Sequence, residues 1–163
     1  MNRMKTSRFI AQAAIIAALY AGLTLALAPI SYGVVQFRLS EALVVLSLFT
    51  PAAIPGLTIG CFFANLIGPN GIMDAVIGSA ATLIGCWGIY KCRKRPYPAL
   101  MINVIANAVI IGLMLKFIYF DENGTFACMA FVGLGELVSV YVPGYPLIKL
   151  LQRYSKQLGL NRN

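Results

Sequence analysis

The sequence predicts an all-α integral membrane protein, a single domain over residues 1–163 built as a bundle of six transmembrane helices. Three observations predict it. Of the 163 residues, 60% are hydrophobic and only 11% charged, where a soluble domain carries about a quarter charged residues; the mean hydropathy is +0.80. The apolar residues fall into six runs separated by clusters of Gly, Pro and Asn, the residue types that punctuate helices. The basic residues form three clusters that reach the same side of a membrane when the spans number six, as the positive-inside rule requires.

The first span covers about 8–29. The apolar run from Phe9 to Ile30 is longer than the core of a cleaved signal peptide, and the span is ended by Pro29. Its alanines stand at small-xxx-small spacing, Ala14–Ala18 and Ala17–Ala21. That spacing lets another helix approach closely, from within the bundle or from a partner. The second span, about 36–49, ends at Thr50 and Pro51; the third, about 53–67, ends in "GPNG" and contains Gly56 and Gly60 at GxxxG spacing. Both fall short of the roughly 20 residues a lone helix needs to cross lipid. They read as a bent hairpin or as tilted, broken helices held inside the bundle.

The fourth span, about 72–90, is capped by Asn70 and ends in "KCRKRP"; the fifth covers about 98–119. The sixth covers about 125–151, and its last turns, "KLLQRYSKQL", read as an amphipathic continuation at the inner membrane surface. No internal repeat is visible. Arg3, Lys5 and Arg8 precede span one, Lys91, Arg93, Lys94 and Arg95 follow span four, and Lys149, Arg153, Lys156 and Arg162 end the chain. Asp121 and Glu122 fall on the opposite side. The expected protein is a multi-pass resident of the cell membrane with both termini cytoplasmic. The net charge of +8 is then a topology signal, and no nucleic-acid partner is expected.

The remaining charges lie where lipid would resist them. A charge at the centre of a span costs roughly 2.5–3.5 kcal/mol on insertion scales, so such residues face a bundle interior or a wet cavity. Arg38 and Glu41 sit three apart inside "VVQFRLSEALVVLSLF". Two readings stand for them: a mutual ion pair, or the wall of a cavity mouth that meets a polar solute. Asp74, one turn into span four, either complements the helix dipole or touches a ligand. Glu136 lies about twelve residues into span six, beside Gly133 and Gly135 and with no basic residue within a turn, which favours a ligand contact. Asn65, Asn103 and Asn107 add amides, the last two on one helix face; each bonds a neighbouring helix or a ligand. Together these residues can line one outward-facing polar pocket. Tyr32, Phe37, Trp87 and Tyr141 serve as interface anchors or as stacking surfaces for a flat ligand.

Several chemistries are excluded. There is no GxxxxGK[ST] phosphate loop, no GxSxG or HExxH, and no histidine to act as general base or to build a typical zinc or haem site. Asp74 is alone among aspartates within the spans, so no aspartyl pair forms. Cys61, Cys86, Cys92 and Cys128 make no CxxC, and three of them lie in apolar runs as small hydrophobes. An enzyme is not expected, nor a metal or cofactor.

The stretches "SYGVVQFRLSEAL", "IPGLTIGCFFANLIGPNGIMDAVIGSAATLIG" and "VGLGELVSVYVPGYPL" carry a resemblance. From about residue 8 to 151 the chain resembles the queuosine-precursor transporter (QueT) family, substrate-binding S components of energy-coupling factor (ECF) transporters. The resemblance implies a six-helix bundle of the ECF S-component type, with a ligand site reached from outside. It also implies docking of the alanine-rich first helix on a membrane-embedded coupling subunit driven by two ATPase subunits. The implied ligand is a 7-deazaguanine, in its cyano or aminomethyl form. Glu136 or Glu41 is suited to accept the paired ring N–H and exocyclic amine of such a ligand, and Asn103 or Asn107 to donate to its carbonyl. The competing expectation is a stand-alone proton-coupled transporter with Glu136 as proton carrier; a purely structural membrane subunit is the third.

Overall fold

The structure, a computed structural model, describes residues 3–32, 37–69, 71–118 and 124–154, with the backbone alone at 3, 4, 117 and 118. The expected cap Asn70, the acidic loop residues Asp121 and Glu122, and Lys156 and Arg162 of the C-terminal basic cluster lie outside the described residues.

Helix α1 (Arg3–Ala26) begins earlier than the apolar run requires, and its 24 residues span about 36 Å at 1.5 Å per residue. The chain breaks at Leu27 and a single-turn helix α2 (Ala28–Ser31) follows. Pro29 sits in its opening positions, where a missing N–H costs nothing, so it starts a second helix as well as stopping the first. Helices α3 (Ala53–Ile67), α4 (Gly71–Lys91) and α5 (Pro96–Ile118) agree with the third, fourth and fifth expected spans. Gly71 opens α4 at φ 64°, a left-handed conformation that glycine adopts without penalty.

Two expectations are corrected. The second span is a 3₁₀ helix, Leu39–Leu48, instead of an α-helix. Its rise of about 2.0 Å per residue lets ten residues cover about 20 Å, five more than an α-helix would. Ser40, Glu41, Ala42, Val44, Val45, Ser47 and Leu48 are all buried, and α1 and α3 to α7 all pack against this helix. It is the axis of the bundle, wrapped by protein, which explains a segment so apolar yet carrying charge. The sixth span is broken in two, α6 (Thr125–Tyr141) and α7 (Gly144–Tyr154), at Val142 and Pro143. Proline offers no N–H to continue the ladder; the next turn restarts with the Leu147 amide on the Pro143 carbonyl at 3.3 Å. Helix α7 turns Ile148 and Leu151 inward and Lys149 and Arg153 outward, the amphipathic ending expected of this segment.

Among the described residues, four stretches are long and apolar enough to cross a membrane: Lys5–Ala26, Gly71–Lys91, Pro96–Lys116 and Thr125–Tyr154. Leu39–Leu48 and Ala53–Ile67 are shorter apolar helices. Over the described residues the bundle is therefore all-helical and multi-pass, with two of the six expected spans too short to cross on their own. Helices α1 and α3 cross where Gly56 and Gly60 face Ala13 and Ala17: an added methyl would lie 2.8 Å and 2.7 Å from their carbonyl oxygens. The GxxxG of α3 is thus a contact within the bundle. Two apolar clusters fill the interior, one around Leu48, Phe49, Leu57, Ile89 and Leu100, the other around Ala81, Ile111, Met114 and Val132. Along α6, Val140 belongs to the first and Val132 to the second, with Glu136 one turn from each.

Candidate functional site: a buried pair of carboxylates

The 3₁₀ helix carries the site's charges to the centre. Arg38 precedes it in extended conformation (φ −100°, ψ 100°), while Glu41 lies in its first turn. Their side chains therefore go to different helices. The mutual Arg38–Glu41 ion pair, one of the two readings of these charges, does not form: the Arg38 guanidinium pairs with Asp74 of α4, Nη2 to Oδ2 at 3.2 Å, with 4% and 0% of the two side chains exposed. Arg38 Nε also donates to the Ser31 carbonyl at 3.3 Å, and the guanidinium lies over the Tyr32 ring, 5.5 Å from its centroid. Asp74 stands in the first turn of α4, so its favourable place by the helix N-terminus and its ion pair act together.

Glu41 goes the other way. It accepts from the Tyr20 hydroxyl on one oxygen, and on the other from Asn103 Nδ2 at 3.2 Å. The same nitrogen donates to Glu136 Oε2 at 3.3 Å. An asparagine amide has two hydrogens, and here each goes to a different carboxylate. Glu41 is 1% exposed, Glu136 4% and Asn103 fully buried. Two acids from distant parts of the sequence are thus held by one neutral group. A second amide braces the first: Asn107 Nδ2 donates to the Asn103 carbonyl at 3.2 Å, so Asn107 supports its own helix and is not drawn to the acids.

Asn65 of α3 completes the Arg38 side. Its Nδ2 donates to the Asp74 carbonyl at 3.1 Å and lies 3.4 Å from Cys61 Sγ. All seven polar residues singled out from the sequence are buried, and they form two adjoining clusters: Arg38, Asp74 and Asn65, then Glu41, Asn103, Glu136 and Asn107. The contact between the hydroxyls of Thr24 and Ser40, at 2.6 Å, ties α1 to the 3₁₀ helix at the turn where the clusters meet. Among the described residues, Asn65 Oδ1, Asp74 Oδ1 and Asn103 Oδ1 are buried acceptors without a donor. Buried polar atoms are normally paired, and one left unpaired costs free energy.

Sequence reasoning missed the residues that shape this site. Tyr20 and Thr24 stand one turn apart in a helix otherwise rich in Ala, Leu and Ile, a signal available in the sequence. Asp74, Gly78, Thr82 and Gly85 follow helical spacing and are all buried. Gly78 makes room for Asn65, whose Nδ2 would lie 2.6 Å from an added Cβ, and Gly85 makes room for Asn103 Oδ1. Gly133, by contrast, packs on Ala108 of α5. The aromatics expected to stack divide: Tyr32 donates to the Ala64 carbonyl at 2.6 Å beside Arg38, Tyr141 donates to the Tyr97 carbonyl at 2.7 Å, and Trp87 is exposed beside Lys91. The four alanines of α1 lie on two faces. Ala17 and Ala21 are half-buried, Ala17 against Gly60 and Ala21 on the core, and Ala14 and Ala18 are exposed.

A multi-pass helical bundle that is apolar outside and holds paired carboxylates and amides inside has the build of a membrane transport protein. A family model described as QueT transporter matches residues 10–153. The chain is 38% identical over 157 residues to the queuosine precursor transporter QueT of Lactococcus lactis subsp. cremoris (strain MG1363), which covers 86% of this chain and 90% of that protein. The chain belongs to the QueT transporter family. No solved structure matches it.

Proposed function

We propose that this chain is the substrate-capture subunit of an ECF-type importer in the cell membrane. It takes a queuosine precursor, 7-cyano- or 7-aminomethyl-7-deazaguanine, from the outer side. The observation that carries the reading is the Asn103 amide between Glu41 and Glu136. A guanine-type edge presents a ring N–H and an exocyclic amine side by side, and a carboxylate accepts both at once. The ligand replaces the amide at Glu136, and Asn103 turns to donate to the ring carbonyl. Glu41 remains held by Tyr20. A bidentate contact in a desolvated site rejects ligands that lack the donors, because the acid is then left unpaired. The name of the Lactococcus lactis relative supports this ligand class.

ATP hydrolysis is supplied by two ATPase subunits through a membrane-embedded coupling subunit, with Ala14 and Ala18 on the outward face of α1 available for docking. In this reading both termini are cytoplasmic, and the two short helices complete six passes within the bundle. Mass spectrometry of the small molecule that co-purifies with the detergent-solubilised chain, followed by titration with that compound, tests the ligand. A 7-deazaguanine is expected; a ligand with no paired N–H edge overturns the assignment.

A second reading draws on the same amide. Two carboxylates sharing one donor can also share a proton, as a stand-alone proton-coupled transporter using Glu136 would require. Uptake by the chain alone in proteoliposomes, driven by a pH gradient, selects that reading over the first.

A further inference from the structure

The basic turn between α4 and α5 serves the topology argument by its charge alone, but it also has a shape. Lys91, Lys94 and Arg95 are exposed and line a groove of about 350 Å³ whose floor includes Ala99 and Ile102. A second groove of about 390 Å³ runs between α4 and α5, walled by Ile84, Ile105, Ala106, Val109 and Ile110, with no charged residue. Ile102 lines both, so the basic groove continues into the apolar one. Ile102 itself packs closely on Gly88, where an added Cβ would lie 2.6 Å from its Cγ2. From Pro98 to Ile110 the path runs about 18 Å along α5 at 1.5 Å per residue, about the depth of one leaflet of a roughly 30 Å hydrocarbon core. Trp87 and Tyr97, both exposed, flank the basic end, as aromatic side chains do at the level of lipid headgroups. From residue 75 to residue 120 the chain has no Asp or Glu, so no nearby acid in that stretch neutralises the cluster.

We propose that this groove binds one anionic phospholipid of the leaflet that the α4–α5 turn faces. Its phosphate sits on Lys91, Lys94 and Arg95, and one acyl chain lies along Ile102, Ile105 and Val109. Basic pockets between transmembrane helices hold anionic headgroups by this chemistry. The apolar continuation commits the site to a lipid over a free phosphate or an acidic protein segment, neither of which has a use for an 18 Å apolar track.

Native mass spectrometry of the purified chain with phosphatidylglycerol or phosphatidylcholine tests it. Phosphatidylglycerol adducts are expected to survive activation and phosphatidylcholine adducts to be lost. Lys91→Gln/Lys94→Gln/Arg95→Gln should weaken phosphatidylglycerol retention about 100-fold, since each basic residue near the surface adds to headgroup binding. Lys5→Gln/Arg8→Gln, which removes exposed charge on α1, a helix not packed against α5, should leave it unchanged. Ile105→Trp narrows the apolar track at an exposed position and should also weaken retention, whereas soluble glycerol phosphate should not compete. Equal loss in the two charge variants would reduce the effect to general surface charge and overturn the site. Full retention in Ile105→Trp, competition by glycerol phosphate, or a triple variant that keeps the lipid but loses partner subunits would overturn it as well. Cys92 gives an independent readout: it lines the basic groove and is exposed, while Cys61, Cys86 and Cys128 are buried. An uncharged maleimide should label it several-fold more slowly in phosphatidylglycerol nanodiscs than in phosphatidylcholine nanodiscs, and equally fast in both for the triple variant.

Discussion

The amide nitrogen of Asn103 lies 3.3 Å from Glu136 Oε2, and the same nitrogen lies 3.2 Å from Glu41 Oε2. One neutral side chain on α5 thus joins an acid of the central 3₁₀ helix to an acid of α6. Removing it leaves two buried carboxylates short of a donor. Asn103→Leu should lower the stability of the ligand-free protein by about 2–4 kcal/mol, the cost of leaving charged buried groups unsatisfied. Thermal unfolding in detergent reads it, and an unchanged midpoint would show that the acids do not depend on the amide.

Gly85 holds that amide in place by having no side chain. A methyl there meets Asn103 Oδ1, and one on Gly78 meets Asn65 Nδ2 at 2.6 Å. Gly85→Ala should therefore displace the Asn103 amide and lower ligand affinity although it removes no polar group. Gly22→Ala is the control: nothing lies within 4 Å of a Cβ at that position of α1, so the change should be neutral or stabilise by up to about 1 kcal/mol through helix propensity. Equal ligand affinity in Gly85→Ala and wild type would sink this role.

The Arg38–Asp74 pair answers to a double-mutant cycle. Both side chains are buried, and removing one partner of a buried pair costs about 3–5 kcal/mol because the other charge stays behind. Arg38→Gln and Asp74→Asn should each destabilise the fold by that order, and the double variant by clearly less than their sum. Additive losses in denaturant or thermal unfolding would mean that the two residues act separately.

Residues 34–49 show what the sequence can and cannot say about such a site. Buried charge in an apolar run marked Arg38 and Glu41 as functional candidates, because lipid and a dry core both penalise unpaired ions. Their spacing of three invited a mutual pair. Pairing is settled by backbone direction, and Arg38 stands before the helix while Glu41 stands in it, which no periodicity reveals. The 3₁₀ geometry was hidden for a similar reason: a segment packed on all sides has no polar face to set a period. The breaks at "GPNG" and "KCRKRP" were legible because Gly and Pro act locally. "VPGYP" carries the same signal, and reading 125–151 as one helix passed over it. Gly78 and Gly85 were illegible as site residues, since their role is set by asparagines on other helices.

The two acids should respond differently to neutralisation. Glu41 accepts from both Tyr20 and Asn103 in the ligand-free fold, whereas Glu136 accepts from Asn103, the donor that the proposed ligand displaces. In Glu41→Gln an amide N–H replaces an acceptor and faces a donor on one side or the other, so the fold itself should lose about 1–3 kcal/mol. Arg38 does not compensate, because it is engaged with Asp74. In Glu136→Gln the ligand-free fold should change less, since a glutamine oxygen can still accept from Asn103. Its loss appears when a paired N–H edge arrives and meets one acceptor where it needs two. Ligand affinity should fall by about 2–4 kcal/mol, the usual cost of truncating a buried charged contact. Thermal unfolding and ligand titration on both variants separate the roles: Glu41→Gln should shift the ligand-free midpoint more, Glu136→Gln the affinity more. Wild-type affinity in Glu136→Gln, with the fold intact, would make the acid a structural partner of Asn103 and remove it from the ligand site.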